Sequence, residues 1–244
     1  MKIEYYLSDQ AHKQYFTKLR ELAKRPEIKR VCDIGGGANP LFSKAQIKEY
    51  GLDYTVLDIS SEELAKAPAE YHKLQADITD PNLSLNEEFD LICSKFLAEH
   101  IPNALMFHKN VFNLLSSNGY AFHYFPTLYN LPYLANLILP EKLSPRILLL
   151  FQPQRIKEGK QGKFPAYYNW CFGPTQKNIK NFTNLGYSIE EYIGFFGHDF
   201  YQKAQILKPL DFIEKRKSQL LLKYPIPWLT FFAHVLLKKN MNDT

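Results

Sequence analysis

The stretch Arg30-Val31-Cys32-Asp33-Ile34-Gly35-Gly36-Gly37-Ala38-Asn39-Pro40 governs the reading of this chain. A short apolar strand runs straight into three glycines. Glycine turns the backbone through positive φ and lets a ligand come close where a Cβ would stand, so the pattern indicates a binding loop at the end of a buried strand. Two nucleotide loops fail on the residues that follow. A dinucleotide fingerprint requires a third glycine three positions after the second. Counted from Gly35 and Gly37, that place is Pro40, which carries a ring and has no N–H. A Walker loop requires Gly-Lys-Ser/Thr, and none follows.

What remains is acidic-x-Gly-x-Gly, made by Asp33, Gly35 and Gly37, and three further elements follow it in order. Asp53 to Ser60 reads as a second strand carrying Asp58, 21 residues beyond Gly37. In a Rossmann-like sheet a carboxylate at that strand's tip accepts hydrogen bonds from ribose hydroxyls. Tyr71 to Ile78 reads as a third strand ending in Asp77, and Phe89 to Phe96 as a fourth that runs into Leu97-Ala98-Glu99-His100-Ile101. Over roughly residues 28 to 126 these motifs resemble those of the class I S-adenosylmethionine-dependent methyltransferases. Asn39 stands where that family often has another glycine.

The resemblance implies an α/β fold: a Rossmann-like, seven-stranded, mostly parallel sheet with helices on both faces and the last strand antiparallel. It implies S-adenosyl-L-methionine as cofactor. Asp33 with Gly35, Gly36 and Gly37 would hold the methionine part, Asp58 and Ile59 the ribose side, Asp77 and Ile78 the adenine, and Ser94 would face the amino-acid end. Methyl transfer from a sulfonium is an in-line displacement, so the protein mainly aligns the partners and excludes water. No metal is required. A hydroxyl acceptor needs a general base, for which His100, His123 and His198 are the candidates.

Outward from the motifs, Ser8 or Asp9 reads as the cap of an opening helix that Pro26 stops. Ser60 and Glu63 form a capping-box pattern after the second strand. Asn103 to Leu115 reads as a helix, Gly119 to Pro126 as the fifth strand, Tyr187 to Gly194 as the sixth and Trp228 to Lys238 as the last. Between them residues 127–172 form a proline-punctuated, aromatic-rich excursion, far longer than an ordinary connection. It is expected to be a substrate cap within a single methyltransferase domain spanning 1–244, with Phe164, Tyr167, Tyr168, Trp170 and Phe172 lining a pocket. The apolar runs Leu134 to Leu139 and Ile147 to Phe151, flanked by Lys142, Arg146 and Arg155, suit a helical lid or a peripheral membrane contact.

Composition bounds the partners. The apolar fraction of 45% and charged fraction of 23% fit an ordinary globular chain. A net charge of +5, with scattered lysines and no basic stripe, does not suggest a nucleic-acid partner. Three unpaired cysteines, Cys32, Cys93 and Cys171, suggest neither a disulfide framework nor a zinc site. With no apolar signal core and no run of membrane-spanning length, a cytoplasmic enzyme is expected. Its acceptor would be a small molecule or a glycan or lipid precursor, methylated on O or N. The alternatives are a methyltransferase-like binding protein without catalysis, and an NAD-dependent enzyme.

Overall fold

The computed structural model describes residues 1–129, 165–199, 201 and 208–240. The strands are β1 (Lys2–Leu7), β2 (Arg30–Ile34), β3 (Asp53–Asp58), β4 (His72–Gln75), β5 (Phe89–Lys95), β6 (Leu115–Pro126), β7 (Tyr187–Phe196) and β8 (Phe232–Lys239). The helices are α1 (Ala11–Ala23), α2 (Lys44–Tyr50), α3 (Ser61–Lys66), α4 (Ala104–Leu114), α5 (Gln176–Asn184) and α6 (Lys208–Lys223). One sheet joins all the strands in the order β1-β7-β8-β6-β5-β2-β3-β4. Among the described strands only β8 runs antiparallel to its neighbours, β6 and β7.

This is the expected Rossmann-like architecture with one strand more than the seven anticipated. The addition is β1, which pairs in parallel with β7 from Lys2↔Glu191 to Leu7↔Phe196. Its sequence, Lys-Ile-Glu-Tyr-Tyr-Leu, gives little alternation to read, and its partner lies far along the chain. Ser8 to Gln10 forms a 3-10 turn, so α1 begins at Ala11 and not on a Ser8 or Asp9 cap.

The two faces of the sheet carry separate cores. On one, Tyr15, Leu19 and Leu22 of α1 and Leu64 of α3 pack on Val31, Val56, Leu91 and Phe122. On the other, Phe107 and Val111 of α4 and Ile179 and Phe182 of α5 pack on Cys32, Ile92, Ala121 and Val235. The three cysteines are buried free thiols. Helix starts follow the sequence closely, since a cap side chain satisfies an otherwise orphaned N–H. Ser60 accepts from the Glu63 N–H at 3.2 Å, and Thr175 from the Asn178 N–H at 3.3 Å. The complete capping box is on α2, where Ser43 and Gln46 bond reciprocally.

The chain leaves the sheet after β6 and returns beside its own departure point. The Leu128 N–H donates to the Cys171 carbonyl at 2.9 Å, and the Tyr129 ring lies 5.6 Å from that of Phe172. The runs Leu134 to Leu139 and Ile147 to Phe151, with Phe164, lie outside the described residues. The rest of the aromatic group divides. Tyr168 is buried and Trp170 stacks on His108 at 5.4 Å, both in the core beneath α4 and α5. Tyr167 stays exposed.

Candidate functional site

In an open α/β sheet ligands bind beyond the strand C-termini, at the point where strand order reverses. Here the chain builds β2, β3 and β4 outward in one direction, then crosses back to place β5 on the other side of β2. The reversal therefore lies between β2 and β5. The glycine loop leaves β2 at this point and the Leu97–Ile101 turn leaves β5 beside it. They touch: a Cβ on Gly35, whose φ is +74°, would meet Leu97 Cδ1 at 3.0 Å.

Asp33 lies beneath the loop, buried, at the end of β2. Its Oδ2 accepts from the Leu41 N–H at 2.8 Å and from the Tyr54 hydroxyl at 2.5 Å. These bonds fasten the far end of the loop to its base. A Cβ on Gly36 would stand 2.5 Å from the same Oδ2, so the middle glycine makes room for the carboxyl. Burial pushes the Asp33 carboxyl up to about 7, against the lowering effect of Tyr54, the Leu41 N–H and Lys95. Lys95 ends β5 half-buried, with its pKa lowered by desolvation.

Asp58 ends β3, next in the sheet. Its Oδ1 accepts from the Ser60 N–H at 3.0 Å, and its Oδ2 packs where a Gly37 Cβ would come within 2.7 Å. Ile59 follows it with 64% of its surface exposed, an apolar side chain standing over the same edge. Asp77, beyond β4, is exposed, and its Oδ1 accepts from the Thr79 N–H and hydroxyl at 2.8 and 2.7 Å. Ile78 beside it is buried. Asn110 of α4 donates from Nδ2 to the carbonyls of Ile78 and Asp80, both at 2.8 Å, and so pins this turn.

Thus Asp33, Gly35, Gly36, Gly37, Asp58, Ile59, Asp77 and Ile78 lie at or just beyond the C-terminal ends of three adjacent parallel strands. Ser94 is placed differently. Its side chain is fully buried on the opposite face from Asp33, with Oγ 2.8 Å from His123 Nδ1. His123 is equally buried, with Phe107 at 5.4 Å and His108 at 5.3 Å, and desolvation lowers its pKa to about 3. Burial thus favours the neutral imidazole.

The other histidines diverge. His100 is partly buried after β5; its Nδ1 lies 2.7 Å from the Pro165 carbonyl and therefore donates, while Nε2 is 3.7 Å from Glu99 Oε1. His198 lies beyond β7, four strand spacings from β2, or about 19 Å at roughly 4.8 Å per spacing. It packs against Phe231 and Tyr201, with Glu214 Oε2 3.8 Å from Nε2.

Glu99, which the sequence marks only as part of the stretch that follows β5, stands out in the structure. It is buried, its Oε2 has no hydrogen-bond partner among the described residues, and desolvation raises its pKa to about 8. Its backbone carbonyl accepts from the Tyr167 and Tyr168 N–H groups at 2.7 and 3.1 Å, which ties the return of the excursion to the β5 loop. Phe96, Tyr168 and Trp170 all hold positive φ, at 54°, 53° and 60°. Bulky side chains rarely adopt that region, and such strain gathers around functional loops.

The fold and the β2–β5 crevice define the methyltransferase class, and sequence comparison supplies the family. The chain matches the family model described as "Methyltransferase domain" over residues 6–172. It belongs to that family, among the class I S-adenosylmethionine-dependent methyltransferases. Solved structures share the fold at low identity. A SAM-dependent methyltransferase from Archaeoglobus fulgidus is 15% identical with a TM-score of 0.57, covering 95% of each chain. Phosphoethanolamine N-methyltransferase 2 of Haemonchus contortus, solved with phosphomonomethylethanolamine and S-adenosylhomocysteine, is 15% identical with a TM-score of 0.56. That alignment covers 94% of this chain and 53% of the other, so this chain spans about half its length. N-methyltransferase NodS from Bradyrhizobium japonicum, solved with S-adenosylhomocysteine, is 11% identical with a TM-score of 0.51 over 93% and 86% of the two chains. A comparison with curated protein sequences gives no match.

Proposed function

We propose that this methyltransferase carries a methyl group from S-adenosylmethionine to an O or N atom of a small-molecule, glycan or lipid-precursor acceptor, with residues 127–172 as its substrate cap. The observation that carries this reading is the run of Asp33, the glycine loop, Asp58 and Asp77 along one sheet edge at the strand-order reversal. Asp58 offers carboxylate oxygen to ribose hydroxyls, Ile59 and Ile78 border the adenine, and Asp77 meets its amino group. The loop and Asp33 hold the methionyl part. Ser94 and His123 support this edge from below as a buried hydrogen-bonded pair.

The acceptor side would lie over the ends of β5 and β6, where Phe96, Tyr124 and Phe232 form an aromatic group with rings 4.6 to 5.7 Å apart. Glu99 and His100 stand at its edge. In the reaction the acceptor's lone pair forms the new bond to the methyl carbon as the carbon–sulfur bond breaks, and sulfur leaves with the electron pair as a neutral thioether. A hydroxyl or ammonium acceptor also sheds a proton, and His100, partly exposed beyond the end of β5, is the candidate base.

Calorimetric titration with S-adenosylmethionine tests the cofactor site, beside Asp58→Ala and an NAD control. Wild-type binding weakened at least about tenfold by the variant supports the assignment. Equal binding by the variant, or a preference for NAD, removes it.

A further inference from the structure

Helix α6 is amphipathic in the wrong sense for a helix that only packs on its own domain. It lies against β1 and β7, and the residues it buries are Glu214, Ser218 and Leu221. Glu214 and Ser218 are bonded within the helix, Ser218 Oγ donating to the Glu214 carbonyl at 2.7 Å. The large apolar side chains point the other way: Phe212, Ile213 and Leu220 are 61%, 60% and 59% exposed. At 100° per residue these three fall on one outward face. The apolar surface continues past the helix end through Tyr224, Ile226 and Trp228, all exposed. Scattered exposed apolar residues are normal, but a contiguous set marks a contact surface.

Charge identifies the contact. From Lys208 to Lys223 the helix has five cations and two carboxylates. The carboxylates are engaged within the helix, Asp211 with Lys215 at 2.7 Å and Glu214 with Lys217 at 2.6 Å. Lys208, Arg216 and Lys223 lie on the same outward face as the apolar residues. Arg216 lies 5.3 Å from the Phe212 ring and Lys223 5.3 Å from the Tyr224 ring, so cations and apolar groups share one level. That combination suits a bilayer interface, where rings and aliphatic groups enter the acyl boundary and cations meet anionic headgroups. No described helix is long and apolar enough to cross a membrane, so the contact is with its surface. Trp228 stacks edge-on to Tyr129 at 5.2 Å, which joins the surface to the neck of the 127–172 excursion.

We propose that the outward face of α6, continued by Tyr224, Ile226 and Trp228, docks the enzyme on membranes bearing anionic lipids. The proposal does not depend on the acceptor, and vesicle binding is measured without cofactor. Full-length protein is sedimented with vesicles of phosphatidylcholine alone and of phosphatidylcholine mixed with phosphatidylglycerol, at low and high salt. The paired variants are F212E/I213E and R216Q/K223Q, each checked by circular dichroism and S-adenosylmethionine binding. Salt-sensitive binding to the mixed vesicles is expected, at least about tenfold weaker in both variants, whose fold and cofactor affinity are unchanged.

Absence of binding to either vesicle overturns the proposal. So does vesicle binding that both variants retain, which would move the contact elsewhere on the chain. Self-association that F212E/I213E abolishes, without vesicle binding, also overturns it and assigns the face to a second copy.

Discussion

Gly37 couples two parts of the site that the sequence presents separately. The space it leaves is filled by Asp58 Oδ2 and by Cβ of Glu63, each 2.7 Å from where a Gly37 Cβ would stand. The loop after β2 and the carboxylate after β3 therefore fix each other's position. Gly37→Ala is expected to displace Asp58 and weaken S-adenosylmethionine binding at least about tenfold by calorimetry. Glu99 makes a second prediction. Its pKa is raised from 4.5 to about 8 by desolvation, so the folded state holds a proton that the unfolded chain releases. Stability from this group is present below pH 4.5 and is lost as pH rises to about 8. In Glu99→Gln that decline should vanish from the pH profile of denaturant unfolding, and an unchanged profile would refute the assignment.

At the scale of elements, α4 reaches across to hold a turn it does not adjoin in sequence. Asn110 sits on the helix face that also carries Phe107, Val111 and Leu114, and its side-chain amide satisfies two carbonyls of the Ile78–Asp80 turn. Replacing it with alanine leaves both without that partner, at a cost of about 2 kcal/mol in unfolding free energy. Cofactor affinity should fall with it, because the turn carries Asp77; loss of stability alone would show that the turn is not part of the site. An Asn on an apolar stripe must have partners, so the residue was legible as unusual while its target was not.

The same contrast runs through the elements. β2, β3 and β5 were readable because each carries its own apolar run and ends in a marked acid or motif, whereas β4, with Leu74 its one apolar residue, was read from Asp77 beyond it. β1 was not, because its pairing with β7 comes from residues nearly a chain length away. The glycine loop's location was legible, but Tyr54 as its fastening was not, since one Tyr in a strand reads only as core.

For the whole molecule, buried titratable groups pull stability in opposite directions. His123 and His234 have pKa values lowered to about 3, and burial, with His123 beside it, holds His108 well below its ordinary value. Each is neutral when folded, so its contribution is present above about 6.5 and is lost as pH falls. Asp33, raised to about 7, and Glu99, raised to about 8, act with the opposite sign and lose theirs as pH rises. Below pH 6.5 these histidines, joined by His198, whose pKa desolvation also lowers, outweigh the two carboxyls, and between 6.5 and about 8 the carboxyls dominate. Unfolding free energy should therefore rise from acid to about pH 6.5 and fall slowly toward 8. Chemical denaturation across that range checks it, and a plateau above 6.5 would contradict it. Binding the cationic cofactor near Asp33 should favour the carboxylate and release a proton, visible at pH 6.5 as binding enthalpies that depend on the buffer.

The hydrogen bond between Leu128 and Cys171 closes the base of the excursion, and its consequence is evolutionary. Departure and return lie side by side, so what is strung between them can lengthen, shorten or change composition without moving the register of β6 against β5 and β8. On the proposed reading of 127–172 as a substrate cap, donor chemistry stays with the sheet while the choice of acceptor drifts with the segment. On that reading, a relative's segment grafted between Tyr129 and Pro165 is expected to change the acceptor while S-adenosylmethionine affinity, measured by calorimetry, stays the same.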